Sequence, residues 1–200
     1  MEYKYVYNMG PGDEFDQEDL EGRRLYINTE VDSCIIDTIV YHVMRFNRED
    51  KGLPIEERKP IYLYINTPGG SVSDGYALID AIITSKTPVY TINQGIAMSM
   101  GFLIFIAGHK RFAMPHSEFL MHDGSVFSWD STAKAKDRLD FETNKLEKMT
   151  KDFIIGHTKI DEKLYESVYR KEWYLLPDDA KEYGIVDSIV GVDCEIDEVV

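Results

Sequence analysis

A serine, a histidine and a glycine turn are the residues of this chain best suited to chemistry. Ser99 lies in a variant of the Gly-x-Ser-x-Gly motif, with Ala97 in the first small position and Gly101 in the last, and His122 ends an apolar run. Acyl transfer to a serine needs a nucleophile at a helix start, backbone N–H donors for the oxyanion, and an imidazole that takes the proton. These residues therefore predict a serine hydrolase.

The turn at residues 67–70 adds oxyanion donors to this prediction. Its two glycines, Gly69 and Gly70, would let a backbone amide approach a carbonyl oxygen with no Cβ in the way. One N–H group from Gly70 and one from Met100 would then form an oxyanion hole. Ordinary roles are the alternative: Ser99 as a helix cap, the turn as a strand-to-helix connection, and His122 as a structural histidine.

Alternating strands and helices must position these residues. Runs of β-branched and aromatic residues predict strands at 24–28, 61–65, 89–92 and 118–122, and a further strand that begins at Phe112. Apolar residues at helical spacing predict helices from Asp32, from 71–73 and over 100–107, with a turn at 95–99 and a polar surface loop at 47–59. Repeated alternation of strand and helix predicts an α/β fold with a mostly parallel sheet.

A long helix with one apolar stripe is predicted at 131–157. Leu139, Leu146, Met149 and Phe153 recur on one helical face, and charged residues occupy most other positions. Such a helix either packs on its own core or projects and meets another subunit. Its length and its few apolar residues favour an assembly surface.

Length and composition predict one folded domain behind a short arm. Of the 200 residues, 44% are hydrophobic, which is enough for a substantial single core. Residues 8–22 are rich in Gly, Asp and Glu, so we expect a flexible N-terminal arm at 1–23 and the folded domain at 24–200. The net charge of −14 repels phosphate groups, which argues against nucleic acid or an anionic membrane as the main partner.

Cysteine usage and hydropathy indicate the compartment. Cys34 and Cys194 are far apart and stand in no Cys-x-x-Cys or Cys/His cluster, so we expect neither a metal site nor a disulfide scaffold. The N-terminus lacks a basic start followed by an apolar core, and the longest apolar run, 102–107, is too short to span a bilayer. These features predict a cytoplasmic protein in a reducing compartment.

With these motifs in place, the chain resembles the Clp protease proteolytic subunit family from about Arg24 to Val190. Residues 61–70 are similar to the family's strand and oxyanion turn, 95–101 to its nucleophile turn, 112–122 to its histidine segment, and 180–187 to its C-terminal helix and strand. The resemblance implies the repeated ββα superhelix fold shared with crotonases, with the long helix as a projecting handle.

The same resemblance implies roles for the site residues. Ser99 would be the nucleophile, His122 the general base and then acid, and the N–H groups of Gly70 and Met100 the oxyanion donors. The implied activity is that of a serine endopeptidase that hydrolyses unfolded proteins inside a barrel of two stacked heptameric rings. No cofactor is implied for this chain, which has no Walker A sequence, because a hexameric AAA+ unfoldase would bind and use the ATP.

Two sets of residues limit or extend the resemblance. Aromatic or apolar residues stand where the family would form a chaperone-docking groove, with core packing as the alternative: Tyr62, Tyr64, Phe112 and Met114. The position of the aspartate that orients the histidine falls on Val168, which cannot accept a hydrogen bond. Glu166, Ser167, a backbone carbonyl or a water are the candidates for this role, which stays unassigned.

Two other functions are open at this point. A catalytically weak or silent ring subunit, assembled with an active paralogue, is suggested by Val168. A crotonase-like acyl-CoA enzyme is suggested by the fold, which uses paired backbone donors on a thioester oxygen, although the acidic chain offers no obvious basic cluster for the CoA phosphates.

Overall fold

A single sheet organises the chain, whose computed structural model describes residues 13–124 and 132–200. The strands are β1 (Arg24–Ile27), β2 (Ile61–Thr67), β3 (Val89–Met98), β4 (Lys110–Ala113), β5 (Glu118–Met121), β6 (Trp173–Leu175) and β7 (Ser188–Ile189). The α-helices are α1 (Asp13–Glu21), α2 (Tyr41–Glu49), α3 (Val72–Ile83), α4 (Met100–Ile106), α5 (Thr132–Phe141), α6 (Glu147–His157), α7 (Glu162–Val168) and α8 (Pro177–Glu182). Residues 1–12 of the predicted arm and residue 131, where the long helix is predicted to begin, lie outside the described residues.

The sheet is almost entirely parallel. Strands β1, β2, β3, β4 and β7 lie side by side in that order, and each neighbouring pair on this path is parallel. Strand β5 is parallel to β3, and β6 is antiparallel to β5. Parallel neighbours need long crossover connections, which helices α2, α3 and α4 supply between successive strands from β1 to β4. The prediction of an α/β fold with a mostly parallel sheet is confirmed.

Strand β3 continues to Met98, through most of the turn predicted at 95–99. Its first half pairs with β4 and its second half with β5. At the change of neighbour, Asn93 Nδ2 donates to Glu118 O at 2.9 Å and Asn93 Oδ1 accepts from Gly95 N at 3.1 Å. The turn predicted at 95–99 is therefore wrong for residues 95–98, which belong to β3. The polar, glycine-containing stretch marks the point where β3 changes its neighbouring strand, and the chain does not reverse there.

Helix α4 is buried on every side, as its apolar sequence predicts. All seven of its residues are buried, and the helix contacts both α3 and β3. The Phe105 ring packs edge-on against Phe119 of β5, with ring centroids 4.9 Å apart. A helix held in this way fixes the position of its own N-terminus, which begins directly after Ser99.

The long helix is confirmed over residues 132–157, where α5, a π-helical turn at Glu142–Leu146 and α6 follow without a break. Helix α6 contributes Ile154 to the buried core. Leu139, Phe141 and Met149 are exposed in the single chain. Two of the four residues of the predicted stripe, Leu139 and Met149, therefore lie away from the chain's own core, while Phe153 packs against it.

Residues 13–21 form helix α1, where the sequence predicts a mobile arm or loop. Leu20 packs against the core, and the Arg24 guanidinium donates to Asp19 Oδ1 at 3.4 Å. Low hydrophobicity suggested an arm, but a short helix can be held by a few contacts with a neighbouring strand. The loop expectation does not hold for this segment, and the domain boundary at residue 23 stays a prediction.

A buried ion pair lies at the end of α2, inside the polar run that predicts a surface loop at 47–59. Asp50 is 4% exposed, and its two carboxylate oxygens accept from the Arg23 guanidinium at 2.6 and 2.7 Å. The Thr87 hydroxyl also donates to this carboxylate, at 2.8 Å. The hydrogen bonds from Arg23 lower the pKa of Asp50 from its usual 3.8. The loop prediction is wrong for residues 47–49, which belong to α2, and for the buried Asp50, because a sequence pattern does not show a distant charge partner.

We expect Asp50→Ala to lower the free energy of unfolding by about 3 kcal/mol, because the half-buried Arg23 guanidinium would lose its two shortest contacts with a carboxylate. It would keep the bond to Lys59 O at 2.7 Å and a weaker contact with Glu49 at 4.0 Å. The pair should also weaken in acid. A carboxyl whose pKa falls on folding stabilises the protein fully above its unfolded-state pKa, and this effect is lost as the pH falls through the lower folded-state pKa. Urea unfolding at neutral pH and through the acid range measures both effects.

Asp80→Ala is the matched control, because it removes an exposed carboxylate from α3. We expect this control to change the free energy of unfolding by less than about 0.5 kcal/mol. Equal losses in the two variants would contradict a stabilising role for the pair of Arg23 and Asp50.

Candidate active site

Ser99 lies in a strained turn between β3 and α4. Its backbone has φ 53° and ψ −118°, a conformation that residues other than glycine rarely adopt. The Ser99 N–H donates to Leu120 O of β5 at 2.9 Å, which ties the turn to the neighbouring strand. A serine at a sharp strand-to-helix turn has the geometry of the nucleophile elbow of serine hydrolases.

The glycine turn after β2 packs directly on the Ser99 turn. Gly69 has φ 101°, and a Cβ built on it would lie 2.7 Å from Ser99 Cβ and 3.0 Å from Met100 N. Gly70 has φ 143°, and a Cβ there would collide with Val31 O. Larger residues fit neither position: the close approach to the Ser99 turn requires glycine at 69, and the contact with Val31 requires glycine at 70.

The predicted oxyanion donors lie on these two adjacent turns. Val31 holds the glycine turn by donating its N–H to Gly69 O and accepting from Ser71 N, each at 2.7 Å. Among residues 13–124 and 132–200, the N–H groups of Gly70 and Met100 donate to no backbone carbonyl outside the regular helices and strands. Met100 is the first residue of α4, where N–H groups have no partner inside the helix. The role of these two amides as oxyanion donors stays a prediction.

His122 follows β5 and lines the same pocket as Ser99. Its Nδ1 lies 3.0 Å from Glu172 Oε1, and its side chain is 22% exposed. Glu172 directly precedes β6, and the antiparallel register of β5 and β6 places Met121 opposite Trp173. Residues 122 and 172 therefore come together at the same end of this strand pair.

The residues that the sequence offered for orienting His122 are engaged elsewhere. Val168 is half-buried and packs against the main core. Glu166 accepts from Lys151 Nζ at 2.6 Å, and the Ser167 hydroxyl donates to a backbone carbonyl of its own helix at 2.7 Å. The carboxylate beside the imidazole belongs to Glu172.

Glu172 is the residue at this site that the sequence analysis missed. Its one signal was an acidic residue immediately before an aromatic, strand-like run at 173–175. The pattern of a strand does not show which other strand it pairs with, because the alternation is the same for any partner. Only the pairing of β6 with β5 brings Glu172 to His122.

Ser99 and His122 line the same pocket. Within the described residues no hydrogen bond joins their two side chains, and the hydrogen-bond partner of the His122 side chain is Glu172. Hydrogen bonds between catalytic groups are often long before substrate binds and shorten in the complex. The arrangement is compatible with proton transfer once a substrate is bound.

Apolar and aromatic side chains line the pocket beside Ser99: Tyr76, Phe102, Leu103, Met121, Ile154, Tyr165 and Tyr169. Burial raises the pKa of Tyr165 to about 12 and also raises the pKa of Tyr76, so both phenols are neutral at physiological pH. The Tyr76 hydroxyl shares a hydrogen bond of 2.6 Å with the Thr150 hydroxyl. Such a pocket suits an uncharged, apolar side chain.

The four residues predicted for a docking groove lie together in a second, smaller apolar cluster. Tyr64 and Phe112 are buried in it, and Tyr62 and Met114 pack at its edge. The Tyr64 hydroxyl donates to Val199 O, and burial raises the pKa of Tyr64 to about 12. Packing within the single chain accounts for Tyr64 and Phe112, and the docking role stays a prediction.

Metal-binding clusters and membrane-spanning helices are not found in the described part of the chain. No group of three or more His, Cys, Asp or Glu side chains within 13–124 and 132–200 could hold a metal ion. Cys34 and Cys194 are free thiols. None of the helices described for this chain combines the length and the hydropathy needed to cross a membrane.

Comparison with known proteins identifies the family. The model of the Clp protease family matches residues 15–193, nearly the whole chain. This chain belongs to the Clp protease family. It is therefore a peptidase by family, and the resemblance and fold class predicted from its motifs are confirmed.

Similar proteins from several bacteria support this assignment. The chain is 32% identical to the ATP-dependent Clp protease proteolytic subunit 3 of Synechococcus sp. (strain CC9605), over 84% of this chain and 82% of that protein. It is 33% identical to the ATP-dependent Clp protease proteolytic subunit of Deinococcus radiodurans, over 86% of this chain and 81% of that protein. It is 32% identical to the ATP-dependent Clp protease proteolytic subunit 1 of Bacillus cereus, over 86% of each. Neither alternative function, silent subunit or acyl-CoA enzyme, is favoured by these matches.

Proposed function

We propose that this protein is the proteolytic subunit of an ATP-dependent Clp protease and acts as a serine endopeptidase on unfolded proteins. The observation that supports the proposal is the contact between the Gly69 turn and the Ser99 turn, where a Cβ built on Gly69 would lie 2.7 Å from Ser99 Cβ and 3.0 Å from Met100 N. Ser99, Met100 and His122 line one pocket, which supports a nucleophile, an oxyanion donor and a base that act at one place.

The proposed reaction begins with attack of Ser99 Oγ on the carbonyl carbon of the peptide bond. His122 Nε2 takes the hydroxyl proton and then gives it to the leaving amine, so that an acyl-enzyme remains on Ser99. The N–H groups of Gly70 and Met100 stabilise the negative oxygen of the tetrahedral intermediate. Water, activated by the same imidazole, then releases the acid product and restores Ser99.

The pocket beside Ser99 would hold the substrate side chain that precedes the cleaved bond. Its lining of Phe102, Leu103 and Ile154 favours apolar side chains, and the neutral Tyr76 and Tyr165 add no charge. The rest of the substrate would lie extended and form main-chain hydrogen bonds with a strand edge. Such pairing depends little on the identity of the substrate's side chains. Selectivity would therefore come mainly from access to the site.

Enclosure in a homo-oligomer would supply that control of access. Leu139, Phe141 and Met149 expose apolar surface along the handle formed by α5 and α6, which supports contact between rings. We infer a tetradecamer of two stacked heptameric rings in the cytoplasm. A hexameric AAA+ unfoldase would deliver unfolded substrates and use the ATP, with Tyr62 and Met114 at the edge of its docking groove and no cofactor in this chain.

Labelling with a fluorophosphonate tests the proposed nucleophile. We expect intact-mass spectrometry to show stoichiometric modification of the wild-type oligomer and none in Ser99→Ala or His122→Ala, because the probe needs an activated serine. His116→Ala, which changes an exposed histidine, should label like the wild type. An assembled wild-type oligomer that takes no label would instead favour the silent ring subunit.

A further inference from the structure

We propose that the side-chain hydroxyls of Tyr76 and Thr150 give the pocket beside Ser99 a preference for a neutral polar side chain, such as glutamine, before the cleaved bond. This inference rests on the proposed serine peptidase function. The two hydroxyl oxygens, called here the hydroxyl pair, lie 2.6 Å apart, and both residues line the pocket that contains Ser99. A few polar groups in an otherwise apolar pocket commonly determine its specificity.

Helix α3 positions Tyr76 beside the Ser99 turn. The helix begins two residues after Gly70, so the glycine turn fixes where it starts. The Met100 side chain packs against Gly75, because a Cβ built on that glycine would collide with Met100 Cγ and Sδ. Tyr76 therefore follows directly after the point where α3 contacts the first residue of α4.

Helix α6 supplies the second hydroxyl. A threonine in a helix often bonds to its own backbone four residues earlier, and Thr38, Thr84 and Thr158 do so at 2.8, 2.6 and 2.7 Å. The Thr150 hydroxyl makes no such bond among the described residues and is bonded instead to Tyr76 of α3. Its oxygen is therefore directed away from the α6 backbone, toward a residue that lines the pocket with it.

The hydroxyl pair has one more O–H group than its shared hydrogen bond uses. Each hydroxyl has one proton and two lone pairs, and the bond between the two oxygens uses one of the two protons. Within residues 13–124 and 132–200, neither oxygen takes part in another hydrogen bond. The remaining O–H group can donate to a substrate acceptor, whereas an apolar side chain packed against it would leave it unpaired at a cost in free energy.

The rest of the lining disfavours a charged substrate side chain. Phe102, Leu103 and Ile154 provide apolar surface, and His122 is the one ionisable side chain other than tyrosine among the described lining residues. Burial raises the pKa of Tyr76, so its phenol stays neutral. A side chain with an aliphatic stem and a neutral acceptor suits both features, and the amide oxygen of glutamine is such an acceptor.

Peptidyl aminocoumarin substrates test this preference, because the leaving group fixes which bond is cleaved. Two peptides would differ only in the residue before that bond, which is glutamine in one and its hydrocarbon isostere homoleucine in the other. We expect the ratio of kcat/KM for glutamine to that for homoleucine to fall about tenfold in the Tyr76→Phe/Thr150→Val double variant. Each single variant keeps one hydroxyl, so its ratio should lie between those of the wild type and the double variant.

Tyr41→Phe/Thr38→Val is the matched control, because it removes the same two groups from exposed positions outside the pocket. We expect the wild-type ratio and the wild-type kcat in this control. The ratio also separates recognition from structural damage, since a general loss of active oligomer lowers kcat/KM for both peptides by the same factor. An equal fall of the ratio in the control would contradict a role of the hydroxyl pair.

The outcomes distinguish this inference from the function on which it rests. An unchanged ratio in the double variant, beside an inactive Ser99→Ala, would overturn the role of the hydroxyl pair and leave the peptidase proposal standing. Hydrolysis of both peptides by Ser99→Ala at the wild-type rate would overturn the proposed function itself.

Discussion

We expect Ser99→Ala to lower kcat for peptide hydrolysis by about 10⁶-fold with little change in KM, the loss measured when a serine peptidase is deprived of its nucleophile. Alanine lacks the oxygen that forms the acyl-enzyme, while the oxyanion donors and the apolar pocket remain. The substitution should leave the fold intact, since an alanine in this turn would keep the same backbone and the N–H bond to Leu120 O. Hydrolysis of a fluorogenic peptide, with oligomer size checked by gel filtration, measures the effect.

Ser33→Ala is the matched control for this prediction. Ser33 is exposed and lies before α2, outside the pocket of Ser99. We expect wild-type kcat in this variant. A Ser99→Ala protein that retains a tenth or more of the wild-type kcat would contradict Ser99 as the nucleophile.

We expect His122→Ala to lower kcat by a similar factor of about 10⁶, and the Ser99→Ala/His122→Ala double variant to be no slower than either single one. The reason is that serine and histidine act in one step, so removal of either removes the whole covalent route. The residual rate over water would come from the oxyanion amides and substrate binding. Single-turnover and steady-state assays of the three variants measure this coupling.

His116→Ala is the control for the histidine, because it removes an exposed imidazole near the same strand. It should hydrolyse peptide at the wild-type rate. If the fold-loss of kcat in the double variant equalled the product of the two single losses, Ser99 and His122 would act independently, contrary to a shared step.

The elements of this protein were predictable from sequence where local patterns decide them. The run 61–65 is apolar and β-branched, and it forms β2. The apolar run after Ser99 forms the buried helix α4, and the single-striped segment forms the continuous helix over 132–157. These outcomes depend on the periodicity of side chains within one stretch of chain, which the sequence shows directly.

The same patterns failed where an element depends on distant residues. Strand β3 extends to Met98 because its second half pairs with β5, a strand whose position beside it no local pattern shows. Helix α1 forms where composition suggested a loop, because β1 offers it contacts. Asp50 is buried within a polar run because Arg23, far away in sequence, neutralises it.

The sequence by itself determined which residues could do the chemistry, because a serine between small residues, a double-glycine turn and a histidine at a strand end are local features. The tertiary structure decided how they meet: Gly69 packs against Ser99, and the antiparallel pairing of β5 and β6 brings Glu172 to His122. The physical reason is that a hydrogen bond between residues fifty positions apart depends on strand register, which is set by the packing of the whole sheet and by no single segment of it.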